Sequence, residues 1–351
     1  MDKLVCLRCF NEFAPFDLWF KCLNHAKTLL FPWRGEKKKR PPSSAACPNG
    51  GHLSGIRICP KCKHDLPYYI GRTPLKVVGI TGCSGVGKTV YLWSLLYELR
   101  GRLAREENPY ATAMFEDDHS FAIYQEYCTS ILGRQELPEA TRAIEQLGGD
   151  LPPIVVRLLL RQGVRNLILY DPAGEIIENR DKLEFLGYLQ HYAAIIFLIE
   201  PPDPEGGHVD QIRATSALTN VANCLRKKLK LSEGTIIPKA LAVVLTKGDQ
   251  GVFENDPPSK ITPGHGRGQE IWNDWRNADR EGINRSSEEC KQVLRKLGFN
   301  ELVNAAESNF RTQAFFAISS LGDSLQDGSL NLPVTPIGVE APLFWCLRQV
   351  E

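Results

Sequence analysis

A glycine-rich loop between a predicted strand and a predicted helix constrains this chain more than any other feature. An apolar run at 76–80 leads into Gly82-x-x-x-x-Gly87-Lys88-Thr89, and a helix-like segment begins at Val90. In such a loop, consecutive backbone N–H groups turn inward around phosphate oxygens, and the following helix N-terminus adds a favourable dipole. Lys88 is expected to reach the β- and γ-phosphates, and the Thr89 hydroxyl to ligate Mg²⁺. The loop therefore predicts a nucleotide site made by Gly82, Ser84, Gly85, Val86, Gly87, Lys88 and Thr89.

The composition of the whole chain excludes few function classes but does bear on its location. Hydrophobic residues make up 43% and charged residues 24% of its 351 residues, as in ordinary globular proteins. No apolar run approaches the roughly 20 residues that a membrane helix requires. The N-terminus lacks the long apolar stretch of a signal peptide. We therefore expect no membrane span and a cytoplasmic location.

The first 73 residues differ from the rest of the chain in charge and in cysteine content. They carry 13 Lys and Arg against 5 Asp and Glu, whereas the remaining 278 residues have a net charge of −7. Six of the 11 cysteines lie within the first 62 residues. In a cytosolic chain, cysteine pairs at short spacing indicate metal binding rather than disulfides. We expect a zinc-ribbon-like Cys-rich module over 1–73 and a phosphate-loop domain over 74–351.

Two cysteine pairs of the first module predict a zinc site. Cys6-x-x-Cys9 opens the module and Cys59-x-x-Cys62 closes it, and two such pairs complete a tetrahedral Zn²⁺ site. Nested pairing puts these four thiolates on one metal, although sequential or crossed pairing satisfies the same count. The candidates for a second zinc site are Cys22, Cys47 and His52. For the two cysteines of that second set, the alternative is a buried thiol that acts as a small hydrophobe.

Beyond residue 74, apolar runs bounded by turn signals alternate with helical patterns. Strands are predicted at 76–80, 154–160, 166–170, 194–199, 240–245 and 314–318, and helices at 90–105, 176–192, 209–230 and 287–308. This alternation predicts an α/β fold, a doubly wound sheet that is mostly parallel and covered on both faces. The second and third strands are separated by a hairpin-length loop, so we expect one antiparallel strand at the edge of the sheet. Two inserts are expected, at about 106–152 with helices of its own at 121–127 and 140–147, and at about 250–285.

A second motif follows the third predicted strand, at Asp171-Pro-Ala-Gly174-Glu175. A carboxylate at the end of a strand beside a phosphate loop holds Mg²⁺, usually through water. Gly174 would let a backbone N–H approach the γ-phosphate, because no Cβ intervenes. The alternative is an Asp-Pro turn that only ends the strand. The phosphate loop upstream favours the magnesium interpretation.

A third motif, Thr246-Lys247-Gly248-Asp249, follows the fifth predicted strand and bears on the choice of base. One carboxylate accepts two hydrogen bonds from the guanine N1–H and 2-amino group, and adenine lacks this donor pair. Asp249 is therefore expected to select guanine, and Lys247 to lie along the base with its apolar stem. After the last strand, Ser319-Ser320 is expected to present backbone N–H groups to the base carbonyl oxygen.

The four motifs stand in the order found in Ras-like and translation-factor-type P-loop GTPases, which 74–351 resembles. The resemblance implies binding of GTP and GDP with Mg²⁺, and hydrolysis of GTP. The Cys-rich module joined to Tyr170-Asp-Pro-Ala-Gly-Glu175 also looks like bacterial double-GTPase proteins associated with predicted conflict or defence systems. That narrower resemblance implies a regulatory GTPase that works beside a second GTPase and other protein partners.

The sequence departs from the small-GTPase pattern at two places. Glu175 stands where those proteins commonly place the Gln that orients the attacking water. Its carboxylate would be repelled by the γ-phosphate, so we expect slow intrinsic hydrolysis that a partner or self-association stimulates. The switch-I threonine has no recognisable frame, and the candidates are Thr112, Thr129 and Thr141.

The sequence leaves two alternatives to a GTPase switch, and it places one cysteine in the phosphate loop. The first alternative is a GTP-regulated nucleic-acid-binding factor that uses the zinc module and the basic cluster at 37–40 to grip phosphate. The second is a scaffold that binds nucleotide without turnover. Cys83 lies inside the phosphate loop, and we favour a tolerated loop residue there over a redox-active thiol whose pKa the nearby helix N-terminus lowers.

Overall fold

The chain divides into two units, Met1–Leu75 and Lys76–Glu351, in the computed structural model. The described residues are 3–6, 8–24, 27–34, 43–67, 70, 75–101, 111–137, 153–160, 163–170, 172, 174–184, 186–203, 209–248, 280–322, 330 and 333–350. None of the helices within these ranges has the length and apolar character needed to cross a lipid bilayer.

Short antiparallel strands make up the first unit. They are β1 (Leu4–Val5), β2 (Glu12–Phe13), β3 (Trp19–Cys22), β4 (Leu29–Pro32), β5 (Ala45–Ala46), β6 (Leu53–Ser54) and β7 (Ile56–Ile58). β1 pairs with β2, β5 pairs with β6, and β3 lies between β4 and β7. Strands of two to four residues are too short to show an alternating pattern, so the sequence does not predict them.

A seven-stranded sheet is the centre of the second unit. Its strands are β8 (Leu75–Gly82), β9 (Ala111–Phe115), β10 (Ile154–Leu160), β11 (Gly163–Tyr170), β12 (Tyr192–Ile199), β13 (Ile237–Leu245) and β14 (Phe310–Ala317). Across the sheet they lie in the order β14, β13, β12, β8, β11, β10, β9. β12 pairs in parallel with β8 and β13, and β13 in parallel with β14, whereas β10 is antiparallel to both its neighbours. The expected α/β fold class is confirmed.

The reversed strand is next to the edge of the sheet rather than at it. β9 lies outside β10, with Val156 opposite Phe115 and Leu160 opposite Ala111. The sequence analysis assigned 111–115 to an insert with helices, and its five residues are too few for a clear strand pattern. The expected edge position of the antiparallel strand is corrected accordingly.

The described part of the second unit contains the helices α1 (Lys88–Arg100), α2 (Asp118–Cys128), α3 (Gly174–Glu178), α4 (Arg180–Glu184), α5 (Val209–Leu229), α6 (Arg280–Lys296), α7 (Asn300–Asn309) and α8 (Ala341–Gln349). A π-helical segment, Thr129–Arg134, continues α2, and a 3₁₀ turn, Leu189–His191, precedes β12. α2 begins where the Asp117 side chain accepts a hydrogen bond from the Ser120 N–H. The second predicted helix of the 106–152 insert, at 140–147, lies outside the described residues.

Two predicted helices are each divided in the structure. The pattern at 176–192 contains Asn179, whose Oδ1 accepts from the N–H groups of Asp181 and Lys182 and so caps a new helix. The pattern at 287–308 contains Gly298 in a left-handed conformation (φ 87°), where the N–H of Phe299 donates to the carbonyl of Leu294. A local cap ends each helix although the apolar periodicity continues.

Buried apolar side chains on both faces of β12 and β13 form the main core. Residues 194–199 and 241–245 are at most 1% exposed. At Gly79 of β8, an added Cβ would lie 2.1 Å from the Tyr192 ring. Glycine therefore makes room for that tyrosine against the central strand. This packing fixes the strand ends that carry the sequence motifs.

Candidate nucleotide site and metal centres

The phosphate loop runs from the end of β8 to the start of α1. Gly82, Gly85 and Gly87 have φ angles of 148°, 86° and 83°, a region that glycine adopts without steric cost. A Cβ on Gly82 would also lie 2.4 Å from the carbonyl oxygen of Leu198 in β12. The glycine spacing of the motif therefore reflects both backbone conformation and close approach to the sheet.

Lys88 begins α1 and is held inside the loop. Its side chain is buried, and its Nζ donates to the carbonyl oxygens of Gly82 (3.2 Å) and Cys83 (2.7 Å). Gly87 is the N-cap of α1 and supplies no side-chain cap, so the N–H groups of the first turn, Thr89 among them, lack a side-chain cap from that residue. A helix start of this kind suits an anion.

The Asp-x-x-Gly motif places its glycine against the phosphate loop. Gly174 begins α3, and a Cβ there would lie 2.1 Å from the backbone N of Ser84. Only a residue without a side chain fits this approach. Asp171, the expected magnesium ligand, lies outside the described residues. The structure thus brings the end of this motif to the loop.

Two carboxylates of α3 contact the same loop residue. The Ser84 hydroxyl donates to Oε1 of Glu175 (3.0 Å), and the Ser84 N–H donates to Oε1 of Glu178 (2.7 Å). Arg213 of α5 donates through Nη2 to the same Glu178 oxygen at 2.7 Å. The hydrogen bond to Glu178 raises the pKa of Arg213. Glu178 and Arg213 could not be predicted from the sequence, since neither stands in a motif or at a spacing typical of a binding site.

The third motif is joined to the phosphate loop by its threonine. Thr246 is buried, and its Oγ1 lies 3.0 Å from both the Val86 and the Ile199 carbonyl oxygens. Its N–H also donates to the Ile199 carbonyl at 2.8 Å. The Thr246 hydroxyl therefore joins the loop after β13 to the phosphate loop.

The rest of the third motif meets the loop after β14. Lys247 has a left-handed backbone (φ 53°), and its Nζ forms an ion pair with Glu200 at the end of β12. The Gly248 N–H donates to the Ile318 carbonyl at 2.9 Å. Asp249, the predicted guanine selector, lies outside the described residues. Glu200 is a further residue that no sequence pattern indicated.

Ser319 and Ser320 follow β14 next to Gly248. The Ser319 N–H donates to the Ile337 carbonyl at 3.1 Å, and its Oγ accepts from the Gly322 N–H at 2.8 Å. The Ser319 N–H is thus engaged within the protein, which leaves the Ser320 backbone as the part of this pair suited to a base oxygen.

Cys83 has surroundings that distinguish the two interpretations of its thiol. It is buried, and burial raises the pKa of the thiol from 9.0 to about 11, with the nearby Glu178 carboxylate adding to the increase. Lys88 and Arg213 oppose this shift but are outweighed. The less favoured alternative, a thiol with a lowered pKa, is wrong, because desolvation dominates over the helix N-terminus.

The two switch-I candidates within the described residues, Thr112 and Thr129, lie in different elements. Thr112 lies in the edge strand β9, and the Thr129 hydroxyl donates to the Gln125 carbonyl of its own helix at 2.9 Å. Thr141 lies outside the described residues. Outside the described residues also lie the basic cluster at 37–40 and most of the 250–285 insert.

Four cysteines of the first unit come together as a metal centre would require. The sulfurs of Cys6, Cys9, Cys59 and Cys62 lie within 4.8 Å of one another. The Cys6–Cys62 and Cys9–Cys59 sulfur pairs are each 3.7 Å apart. Tetrahedral thiolates at about 2.3 Å from zinc are about 3.8 Å apart, so the set fits Zn²⁺. Of the pairings left open by the sequence, the nested one matches this arrangement.

Three turns of the first unit share one backbone geometry. In each, the N–H of the fifth residue donates to the carbonyl of the leading cysteine. These pairs are Phe10 with Cys6, Lys63 with Cys59, and Gly51 with Cys47, at 2.9, 3.1 and 3.0 Å. The fifth residue is left-handed in all three, with φ of 54°, 60° and 72°. Phe10 and Lys63 adopt this conformation without being glycine, at a cost of about 1 kcal/mol each.

In the third turn the second candidate ligand is a histidine, His52, which stands two positions later than the second cysteine of the other two turns. Gly50 occupies the fourth position, and a Cβ there would lie 2.7 Å from Cε1 of His52. The missing side chain makes room for the imidazole. Cys22, Cys47 and His52 bring their ligand atoms within 4.8 Å of one another, which makes this a second candidate centre.

The chain is similar to one family of known proteins over most of its larger unit. The model of the family described as Double-GTPase 2 matches residues 76–309. No functionally curated protein matches the chain. Among solved structures, the signal recognition particle receptor SRb-GTP/SRX complex from Chaetomium thermophilum is 15% identical, with a TM-score of 0.35, over 72% of this chain and 94% of that chain. A likeness of that size supports no statement about function.

Proposed function

The chain belongs to the Double-GTPase 2 family, and on that premise we propose that it is a regulatory switch that binds GTP and GDP and hydrolyses GTP slowly with Mg²⁺. The expected P-loop GTPase of the double-GTPase type is thereby confirmed, and the roles of its residues are proposals. These proposals rest on one observation: two segments that are distant in sequence both contact the phosphate loop. Gly174 lies against Ser84, and Thr246 bonds to Val86.

Catalysis is proposed to rest on charge neutralisation around the phosphates. Lys88 leaves the loop carbonyls to contact the β- and γ-phosphates, and the loop N–H groups bind their oxygens. Thr89 and Asp171 would hold Mg²⁺, which offsets the charge that develops on the phosphate oxygens. The Gly174 N–H is proposed to approach the γ-phosphate.

Glu175 is proposed to keep the intrinsic rate low. The Ser84 hydroxyl holds its carboxylate at the phosphate loop, so a γ-phosphate would meet a like charge there. We expect Glu175→Gln to raise phosphate release under multiple turnover, because the neutral amide orients water without repulsion. A rate equal to that of the wild type would remove Glu175 from the mechanism.

Base recognition is proposed to use the loops that follow β13 and β14. Asp249 accepts from the guanine N1–H and 2-amino group, and the stem of Lys247 covers the base. In the Ser319-Ser320 turn, the Ser320 backbone N–H is proposed to meet the base carbonyl, because the Ser319 N–H donates to Ile337. The hydrogen bond between Gly248 and Ile318 supports this, since it places the two loops side by side.

The first unit is proposed to bind a structural zinc ion at Cys6, Cys9, Cys59 and Cys62, to offer a second metal centre at Cys22, Cys47 and His52, and to recognise a protein partner. Four thiolates leave no open position for catalysis, so the zinc stabilises the fold. Thiolate sites need a reducing compartment, which supports a cytoplasmic location. The family name suggests a second GTPase as partner, and a role in a bacterial defence system is part of this proposal. Co-purification of the chain with this second GTPase, and loss of that co-purification in Cys59→Ser, would test the proposed partner.

Nucleotide affinity is the experiment that tests the proposed function. Fluorescent GDP, a non-hydrolysable GTP analogue and an ATP analogue are titrated into wild type, Lys88→Ala and Asp249→Asn. We expect guanine nucleotides to bind the wild type best, and both variants to lose about 100-fold in guanine affinity, a size typical of a lost charged contact at phosphate or base. Lys291→Ala is the control, because that lysine pairs with Glu288 and Glu307 away from the loops.

Two outcomes would contradict the proposal. Equal binding of ATP and GTP by the wild type would remove the guanine specificity. Guanine binding without multiple-turnover phosphate release would leave a scaffold in place of an enzyme.

A further inference from the structure

One oxygen of Glu178 lies between a phosphate-loop N–H and a guanidinium. Its Oε1 accepts from the Ser84 N–H and from Arg213 Nη2, each at 2.7 Å. Backbone N–H groups and a guanidinium are also the donors that a phosphate oxygen uses. The carboxylate therefore occupies a position in which a phosphate oxygen would find the same partners.

If Gly174 approaches the γ-phosphate as proposed, Ser84 lies on the γ-phosphate side of the loop. Gly174, the glycine of the Asp-x-x-Gly motif, approaches its backbone N so closely that an added Cβ would lie 2.1 Å away. The Glu175 carboxylate also reaches the Ser84 hydroxyl. Lys88 stands four residues later in the loop, at the start of α1. A carboxylate on the Ser84 N–H therefore competes with the terminal phosphate more than with the first two.

Glu178 is held in place from α5 at two points. Arg213 binds its carboxylate, and the Asn220 side chain donates to its backbone carbonyl at 3.2 Å. Its side chain is 28% exposed and that of Arg213 is 36% exposed, so the pair is partly shielded from water. These contacts join α3 to α5, and the Ser84 N–H joins the same side chain to the loop.

We infer that Glu178 is a specificity-determining residue that competes with the γ-phosphate for the Ser84 N–H and so biases the protein towards GDP. The inference rests on the proposed function and adds a residue to it. GDP has no third phosphate, so it binds while Glu178 stays on the loop. GTP binds only when the carboxylate moves away from Ser84.

Glu184 offers a matched control for the possibility that Glu178 only attaches the segment after β11 to α5. It forms an ion pair with Lys227 at 2.5 Å and so also joins the segment after β11 to α5, but it makes no contact with the phosphate loop. If Glu178 only fastened the segment to α5, the two glutamates would behave alike.

The experiment measures the ratio of affinities for a non-hydrolysable GTP analogue and for GDP in the full chain. Glu178→Gln removes the charge and keeps the shape, and Glu178→Ala removes the acceptor. We expect the ratio to rise about fivefold in the first and about tenfold in the second, as for the loss of a competing charged hydrogen bond. Affinity for GDP is expected to stay within about twofold in both, and Glu184→Gln to leave the ratio unchanged.

Each other outcome overturns a different statement. An unchanged ratio in both Glu178 variants, in protein that binds both nucleotides, removes the inference and leaves the proposed function intact. An equal rise in Glu184→Gln also removes it, because it reduces the effect to loosened docking. Absence of guanine-nucleotide binding in folded wild type overturns the proposed function and this inference together. Far-ultraviolet circular dichroism checks that each variant is folded.

Discussion

In Lys76–Glu351 a seven-stranded sheet buries β12 and β13 on both faces, whereas in Met1–Leu75 the strands have two to four residues. The larger unit has its central positions filled by Ile, Val, Leu and Phe. In the smaller unit Cys6, Cys22, Cys47 and Cys59 are buried beside a few apolar residues such as Phe20 and Ile58. The two units thus fill their interiors with different chemistry.

The difference shows what each unit needs in order to fold. A long sheet stabilises itself through buried apolar area, at about 25 cal/mol per Å². A unit of about 75 residues with short strands buries less of its surface, and a bound metal then supplies folding free energy. We therefore expect the smaller unit to depend on zinc and the larger one to depend on packing.

Metal removal gives the largest expected effect. Chelation of the full chain under reducing conditions should unfold Met1–Leu75, because each structural zinc contributes about 10 kcal/mol. Hydrogen exchange measured by mass spectrometry should show lost protection at 43–67 and retained protection in β12 and β13. Cys59→Ser should reproduce the loss, whereas Cys128→Ser, in the larger unit, should not.

Retained protection at 43–67 after verified metal loss would contradict the claim that the smaller unit depends on zinc. The apolar residues of the smaller unit would then suffice for its fold, and the three matched turns would be structural features without a metal.

A close backbone contact in the larger unit gives the next effect. Gly174→Ala places a Cβ 2.1 Å from the Ser84 N, so α3 must move away from the phosphate loop. We expect a loss of about 2 kcal/mol in the free energy of unfolding, measured with urea. Gly133→Ala is the control, because its Cβ would be 4.0 Å from its nearest neighbour, a Thr129 methyl. Equal stability of the two variants would show that α3 does not rest on the loop.

The smallest effect concerns Cys83, a buried thiol of the larger unit that belongs to neither candidate metal centre. Burial raises the pKa of this thiol to about 11, so the neutral form is favoured in the folded state. Its contribution to stability is complete below pH 9 and is lost as the pH rises from 9 to 11. Cys83 should therefore resist iodoacetamide at pH 7.5 and react as the pH approaches 11, whereas half-buried Cys128 is alkylated first. Peptide mass spectrometry measures the order, and fast labelling of Cys83 at pH 7.5 would contradict burial as the cause.

Much of the fold followed from local patterns. The apolar runs at 154–160 and 194–199 became β10 and β12, because continuous burial requires continuous apolar sequence. The strand at 111–115 escaped prediction since its five residues carry too short a pattern. Helix breaks at Asn179 and Gly298 also escaped, because a single capping residue outweighed the periodicity of the flanking turns.

The sequence alone determined which groups are available: the glycines and Lys88 of the phosphate loop, and the cysteine pairs of the smaller unit. Their spacing is local, and local chain geometry links spacing to chemistry. Only the tertiary structure decided that Glu178 shares an oxygen between Ser84 and Arg213, and that Cys6 meets Cys62 across 56 positions. Such contacts depend on how separate elements pack, and no short-range pattern encodes the distance between residues so far apart along the chain.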